Sequence, residues 1–147
     1  MGLDTHLKFN NNDVAYWRKC YGLDSWLEKN SIDVDDKKLF KTKILKDITD
    51  KMKLYILKMI ERINELGYYV NDDEDLRLIC CDLYEGNIDE YNDYESIQKI
   101  IKSFSSNDLN FDTFSDSLWD PVNTFIQAYQ GFMEAQNYEE LELISSR

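Results

Sequence analysis

The chain has 147 residues, with 17 Lys or Arg and 29 Asp or Glu, so its formal net charge is −12. Apolar residues make up 43 % and aromatic residues 14 % of the sequence, which excludes a disordered acidic tail. One Pro and five Gly argue against collagen-like, linker-like or turn-rich all-β proteins, and no apolar run is long enough to cross a membrane. No secretory signal is visible. We therefore expect one acidic globular domain over residues 1–147, working in the cytoplasm.

The first predicted elements are a short strand and a helix. Apolar and polar residues alternate over Leu3–Phe9, which is the period of a strand. After an Asn-rich break, apolar residues recur every three or four positions over about 13–29, which predicts an amphipathic helix. Trp17 is expected in the core, with Arg18 and Lys19 on the solvent side; the alternative is a surface on which Trp17 stacks against a base.

The strongest helical pattern covers residues 36–66. Apolar residues step by three or four positions from Leu45 to Leu66, Asp35 or Asp36 can cap the start, and Gly67 suits the C-terminal cap. A helix of this length measures about 45 Å at 1.5 Å per residue. We expect it to span the domain as its central element. A coiled coil is the alternative, although the apolar face is broader than a coiled-coil seam.

Shorter elements are predicted for the rest of the chain. Three helices are expected: one with an apolar stripe from Leu76 to Leu83, one at about 90–105, and one that begins at Asp120-Pro121. Tyr138, Leu141 and Ile144 suggest a short terminal helix or a continuation of the helix that begins at Asp120-Pro121. A strand over Asn110–Trp119 is expected to pair with Leu3–Phe9. The predicted fold is therefore mainly α (α+β), with five or six helices around one long central helix and a short two-stranded β pair.

Few residues offer catalytic chemistry. Cys20, Cys80 and Cys81 are odd in number and include an adjacent pair, which is typical of reduced, buried thiols rather than a disulfide framework. His6 is the only His, so a hydrolase triad has little choice of base, and a structural zinc site lacks ligands. The glycines are isolated, which excludes a phosphate-binding loop. We predict no catalytic residues, no cofactor and no metal.

Carboxylates offer one catalytic alternative. Glu61 and Glu65 lie one turn apart on the predicted long helix, and Asp72 and Asp75 follow soon after. Such carboxylates on neighbouring helices can hold Mg²⁺ for nucleotide phosphate chemistry, as in all-helical nucleotide pyrophosphatases. The simpler interpretation is a solvated helix face, followed by acids that favour the positive end of a helix dipole.

Charge is unevenly distributed along the chain. Residues 1–66 carry 13 basic and 11 acidic side chains, a net of +2, whereas residues 67–147 carry 4 basic and 18 acidic side chains, a net of −14. Such a surface repels nucleic acid and attracts basic proteins. Tyrosines alternate with acids over residues 82–96, at a charge density close to that of a nucleic-acid backbone. The predicted partner-binding residues are Tyr84, Asp89, Glu90, Tyr91, Asp93 and Tyr94; the alternative is a capped helix with its tyrosines packed inward.

Two stretches carry a resemblance. Met1-Gly2-Leu3-Asp4, followed by the Tyr-Trp-Arg-Lys run at 16–19 and by Trp26, resembles small uncharacterised proteins of phages and prophages. Those proteins open with a Met-Gly-Leu-Asp strand and carry a Tyr-Trp-Arg-Lys helix; residues 89–119 are a looser counterpart of their Tyr- and Asp-rich segment. The resemblance implies a phage setting and a small α+β domain, and it supplies no catalytic residues.

These features predict a phage-encoded, non-enzymatic interaction protein in the cytoplasm of a bacterial host. Its most concrete form is an acidic inhibitor that blocks a host defence nuclease or its nucleic-acid channel. The expected partner is a basic, nucleic-acid-binding host protein, without direct contact to nucleic acid or membrane, and a homodimer is compatible with the pattern. The alternatives are the Mg²⁺-dependent nucleotide hydrolase and a small virion or assembly component.

Overall fold

The computed structural model describes residues 2–85, 95–97, 99–100 and 121–146. Its strands are β1 (Asp4–Phe9), β2 (Asn12–Arg18), β3 (Ser31–Val34), β4 (Lys37–Lys41) and β5 (Glu140–Ser146). Its helices are α1 (Tyr21–Lys29), α2 (Leu45–Glu65), α3 (Asp73–Glu85) and α4 (Pro121–Ala135). A short 3-10 turn, Thr42–Ile44, joins β4 to α2, and residues 95–97 and 99–100 are also helical.

The five strands form one antiparallel sheet in the order β2-β1-β5-β4-β3. The last strand of the chain lies in the middle, where Ser145 pairs with Thr5 of β1 and Leu141 pairs with Phe40 of β4. Because β5 bridges two hairpins that are distant from it in sequence, the sheet is complete only when residues from both ends of the chain meet.

Two hairpins provide the local start of this sheet. Asn10 and Asn11 connect β1 to β2 with φ of 50° and 68°, and Asp35 and Asp36 connect β3 to β4 with φ of 49° and 65°. Positive φ at both central positions defines a type I′ turn, whose backbone twist matches the twist of the flanking strands. After glycine, Asn and Asp are the residues that tolerate this conformation best.

One face of the sheet packs on the helices to form a single core. Four of the five strands contribute side chains to this core, namely Leu7, Trp17, Phe40, Leu141 and Leu143, and these join buried residues of α1, α2, α3 and α4. The Trp17 indole N–H donates to the Gln127 carbonyl of α4 at 3.0 Å, and its ring meets Phe132 edge-on at 5.9 Å. The prediction that Trp17 lies in the core is therefore confirmed.

The predicted fold class is wrong, since the structure is α+β with a five-stranded sheet rather than mainly helical around a central helix. The predicted helix at 13–29 is a strand in its first half and the helix α1 in its second. Over β2, Ala15 and Trp17 are buried whereas Tyr16 and Arg18 are exposed, which is the period of a strand. The seven residues of β2 are few enough to fit both the helical and the strand period.

The predicted helix at 36–66 is correct only from Leu45 onward. Asp35 and Asp36, expected as helix caps, form the β3–β4 turn instead, and Phe40 then reaches the core from β4. The same two residue types suit a cap and a hairpin turn, which explains the error. The C-terminal end is as predicted, because Gly67 follows the helix with φ of 97°.

The predicted terminal helix is also wrong, since residues 140–146 form β5, with Leu141 and Leu143 buried at strand spacing. The strand at Leu3–Phe9 exists, but both of its sides are occupied by β2 and β5. It therefore has no side left for the predicted pairing with Asn110–Trp119, a segment that lies outside the described residues. The helix α3 and the start of α4 at Pro121 are as predicted.

We expect Gly67→Ala to lower the free energy of unfolding by about 1 kcal/mol, because an L side chain is strained at positive φ. An added Cβ there meets no atom within 4 Å, so the backbone conformation alone determines the effect. Urea denaturation measures it. Glu65→Ala, at an exposed position two residues earlier, is the control and is expected to change stability by less than about 0.5 kcal/mol.

Candidate functional site

Carboxylates cluster at the start of α3, where they cap the helix. The Asp72 carboxylate accepts a hydrogen bond from the Asp75 backbone N–H at 2.9 Å, and the Asp75 carboxylate accepts one from the Asn71 N–H at 3.1 Å. This is close to a reciprocal capping box, which satisfies N–H groups that a helix start otherwise leaves unpaired. Two of the acids therefore have a structural role that also fixes where they lie.

The two acids between them are held by side chains. The Gln130 amide of α4 donates to Asp73 at 2.7 Å and to Glu74 at 3.0 Å, and the Arg77 guanidinium donates to Glu74 at 2.5 to 3.2 Å. The hydrogen bonds from Arg77, and secondly from Gln130, lower the pKa of Glu74. Glu74 thus keeps its negative charge at neutral pH, and Arg77 is the cation that a described ion pair joins to it.

Exposed apolar side chains flank this cluster. Tyr69, three residues before Asp72, is 92 % exposed, and Leu78, one turn after Glu74, is 50 % exposed. The connection that carries Tyr69 is fixed, because the Asn64 side chain makes two hydrogen bonds to the Val70 backbone at 2.8 and 2.9 Å. We call the cluster together with its two exposed apolar neighbours the acidic surface. It consists of Tyr69, Asp72, Asp73, Glu74, Asp75 and Leu78.

The residues predicted to bind a partner lie further along the chain. Tyr84 belongs to the last turn of α3, about 17 Å along the helix from Asp73 at 1.5 Å per residue. The other five, Asp89, Glu90, Tyr91, Asp93 and Tyr94, lie outside the described residues. Sequence reasoning read the run at 72–75 as a helix start and did not select Tyr69. The available signal was the tyrosine pair at 68–69 followed closely by four successive acids at 72–75.

The carboxylates of the hydrolase alternative do not assemble a metal site. Glu61 and Glu65 are exposed on α2, while Asp72 and Asp75 are engaged with backbone N–H groups. Among the residues that the structure describes, no group of three or more His, Cys, Asp or Glu side chains is arranged to hold a metal ion.

The single histidine lies on the outer face of the sheet, which is turned away from the core. His6 Nδ1 is 2.9 Å from an Asp13 carboxylate oxygen, and the ring packs on Tyr16 with centroids 4.8 Å apart. The Tyr16 hydroxyl donates to Asp4 at 2.8 Å, and this bond raises the pKa of the phenol. These contacts link β1 to β2. They bring a carboxylate and a phenol to His6, neither of which is the serine or cysteine nucleophile of a triad.

One carboxylate is completely buried. Asp24, in the first turn of α1, is 0 % exposed and accepts hydrogen bonds from the Thr5 hydroxyl at 2.7 Å and the Ser145 hydroxyl at 2.5 Å. It thereby ties α1 to β1 and β5. Nothing in the local sequence marks it, because both hydroxyls come from distant segments.

The three cysteines are free thiols, of which Cys20 and Cys80 are buried and Cys81 is partly exposed. Burial raises the pKa of Cys20 to about 11, so this thiol stays protonated at pH 8, where the thiolate is the reactive form. We expect a disulfide exchange reagent at pH 8 to modify Cys81 first and Cys20 at least tenfold more slowly. Mass spectrometry of the partly modified protein measures the order; comparable rates for both thiols would contradict the burial of Cys20, and full reaction in urea is the control.

The chain was compared with models of known protein families, with curated proteins and with solved structures, and no match was found in any of the three. None of the described helices is long and apolar enough to cross a membrane. The acidic surface on α3 is therefore the candidate functional site, on the strength of its own geometry.

Proposed function

We propose that this chain is a phage-encoded, non-enzymatic interaction protein that binds a basic host protein. The observation that carries the proposal is the acidic surface. Four successive carboxylates at 72–75 are ordered by hydrogen bonds beside Tyr69, which is 92 % exposed. The phage setting rests on the N-terminal resemblance alone.

The chemistry of this surface suits a protein partner rich in Lys and Arg. Clustered carboxylates attract such a partner and speed its association, while an exposed aromatic side chain supplies contact area at little cost in conformational entropy. The capping bonds and the Gln130 contacts already restrict the acids. Less freedom is then lost on binding, which favours affinity. The sequence predicts that Tyr84, Asp89, Glu90, Tyr91, Asp93 and Tyr94 bind the same partner.

The more specific proposal is inhibition of a host defence protein that handles nucleic acid. Lys and Arg side chains that normally contact phosphates are the natural target of a surface with this charge. Such an inhibitor competes with nucleic acid for its partner. Competition therefore distinguishes it from an acidic adaptor that binds elsewhere on the same protein.

The test is affinity capture from a host lysate at about 0.1 M and about 0.5 M salt, where the Debye length falls from about 10 Å to about 4 Å. We expect one nucleic-acid-binding protein to remain bound at the higher salt and to be released by its own DNA or RNA. A salt-labile set of many basic proteins, or no capture at all, would reduce the acidic surface to a solubility role.

The captured partner then allows a matched comparison. The site variant combines Tyr69→Ala, Asp73→Asn and Glu74→Gln; the control combines Leu54→Ala, Asp47→Asn and Asp50→Asn on α2. Both remove two charges and one exposed apolar side chain. We expect the site variant to weaken binding at least tenfold and the control less than twofold. Equal losses would mean that only net charge matters.

A second variant tests the predicted part of the site. Charge reversal at Asp89, Glu90 and Asp93 is expected to abolish binding at 0.5 M salt. If partner binding is unchanged, these residues do not belong to the interface, whatever the result for the acidic surface.

A further inference from the structure

The two edge strands of the sheet differ in how they discourage a further strand. The pairing of β2 with β1 is interrupted by a register shift between Leu7 and Lys8, and β2 carries the charged residues Asp13 and Arg18. The pairing of β3 with β4 is regular from Ser31 to Val34, and β3, whose one charged residue is Asp33, contains no Pro and no Lys. Bulges, Pro and charged side chains, Lys above all, are among the usual protections of an edge strand, so β3 is the less protected of the two edges. In the part of the chain that the structure describes, no strand pairs with the other side of β3.

The hairpin register determines which backbone groups face this free side. The turn consists of Asp35 and Asp36, and Val34 pairs with Lys37. In a two-residue hairpin the pair that flanks the turn is hydrogen-bonded, and such pairs alternate along the strands. Val34 and Ile32 therefore bond to β4. The N–H and C=O groups of Asp33, between them, point away from β4.

The side chains of β3 form an exposed apolar strip beside these backbone groups. Ile32 and Val34 lie on the outer face and are 52 % and 42 % exposed, and Leu39 of β4 lies directly beside Ile32. The solvent-facing side of an antiparallel sheet is usually polar, so this apolar strip is unusual. Asp33, Asp35 and Asp36 are exposed along the same edge.

The charge of this edge is negative. Residues 31–36 contain three carboxylates and no cation. Lys38, which pairs with Asp33 in the register, has its ammonium 2.9 Å from the Glu28 carboxylate. Because Lys38 is paired with Glu28, the lysine left beside Asp33, Asp35 and Asp36 is Lys37, which pairs with Val34 in the register. Three carboxylates and one such lysine leave the edge with a net negative charge. An incoming strand gains most if it alternates apolar side chains, beside Ile32 and Val34, with basic ones.

We propose that the free side of β3 binds an extended segment of a partner protein, by strand addition, and that this segment alternates apolar residues with Lys or Arg. Backbone hydrogen bonds to Asp33 give affinity, and the alternation gives specificity. A second copy of this chain suits the edge less well, because each copy carries a net charge of −12 and would bring the same carboxylates together. The site shares no residue with the acidic surface at the start of α3.

The probe is a fluorescein-labelled peptide of alternating Lys and Val, eight residues long and blocked at both ends; a peptide with four Lys followed by four Val is its control. Fluorescence anisotropy measures binding to the full chain. We expect the alternating peptide to bind at least tenfold more tightly than the block peptide. Equal affinity of the two peptides would mean that charge alone attracts them, and the proposal would fail, as it would if neither bound.

Substitution at Asp33 tests the backbone contact. Asp33→Pro removes the N–H that faces the free side without removing a bond to β4, and proline is tolerated at such edge positions. Asp33→Asn removes the same charge and keeps the N–H. We expect Asp33→Pro to weaken binding of the alternating peptide at least tenfold, and Asp33→Asn to weaken it no more than threefold. Equal effects of the two variants would contradict strand addition.

Two further measurements keep the result interpretable. The double variant Ile32→Ser and Val34→Ser removes the apolar strip, and we expect it to weaken binding of the alternating peptide at least fivefold. This measurement tests the proposal even if Asp33→Pro does not fold. A concentration-dependent dimer that Asp33→Pro abolishes would identify a second copy as the occupant and refute the proposal. The Tyr69, Asp73 and Glu74 variant is expected to bind the peptide normally, which separates this edge from the proposed function.

Discussion

Gly131→Ala is expected to lower the free energy of unfolding by about 2 kcal/mol, although alanine is the better helix former. A Cβ at Gly131 would lie 2.1 Å from Cζ2 and 2.8 Å from Cε2 of the Trp17 ring. The ring has little room to move, since its N–H is bonded to Gln127 and its edge meets Phe132. Helix α4 must therefore shift away from β2.

Two opposing terms set the size of this effect. Overpacking of a core costs about 1–3 kcal/mol and sometimes more, whereas Gly→Ala inside a helix contributes about 1 kcal/mol of stability. The distance of 2.1 Å between the added Cβ and Cζ2 of Trp17 is much shorter than van der Waals contact. The cost of overpacking is therefore expected at the top of its range, where it exceeds the gain in helix propensity. Urea denaturation followed by circular dichroism measures the difference.

A double-mutant cycle identifies the cause. Trp17→Leu removes the ring, so the cost of Gly131→Ala is expected to fall by at least about 1 kcal/mol in that background. Glu134→Ala, at an exposed position on the same helix, is the control and is expected to change stability by less than about 0.5 kcal/mol. A stabilising effect of Gly131→Ala in the wild-type background would show that α4 does not lie this close to Trp17.

Local signals in the sequence predicted the elements that depend on neighbouring residues. Gly67 ends α2 because its positive φ suits glycine, and Pro121 begins α4 because its missing N–H is not needed there. Residues 12–18 and 36–41 were misread because a run of six or seven residues satisfies both a helical and a strand period. In both places a two-residue turn of Asn or Asp was the signal for a hairpin.

The sheet order depends on distant pairing, and no local pattern contains it. Ser145 pairs with Thr5 across nearly the whole chain, so β5 looks like a short helix until β1 and β4 are available as neighbours. The candidate site was only partly predictable for a similar reason. The acids at 72–75 are visible in the sequence, but the exposure of Tyr69 follows from the Asn64 side chain, which holds the Val70 backbone.

Asp24→Ala is expected to lower the free energy of unfolding by about 3 kcal/mol, one of the largest effects of a single substitution here. The change removes the acceptor shared by Thr5 and Ser145, whose hydroxyls lie 2.7 and 2.5 Å from it. A buried hydroxyl without an acceptor costs about 1–3 kcal/mol, and the deleted carboxylate leaves a small cavity. Thermal or urea unfolding measures the loss, and Asp47→Ala at an exposed position on α2 is the control.

Substitutions of Thr5 and Ser145 show why Asp24→Ala lowers the stability. The cause is either hydroxyl groups left without an acceptor or the loss of the carboxylate itself. Thr5→Val and Ser145→Ala each remove one donor, and each is expected to cost about 1 kcal/mol on its own. When both are combined with Asp24→Ala, no hydroxyl remains to be stranded, so the triple variant should be no less stable than Asp24→Ala alone. A triple variant whose loss equals the sum of the three single losses would mean that Asp24 acts independently of β1 and β5. The non-additive result would identify this buried carboxylate as the group that fastens the C-terminal strand to the start of the chain.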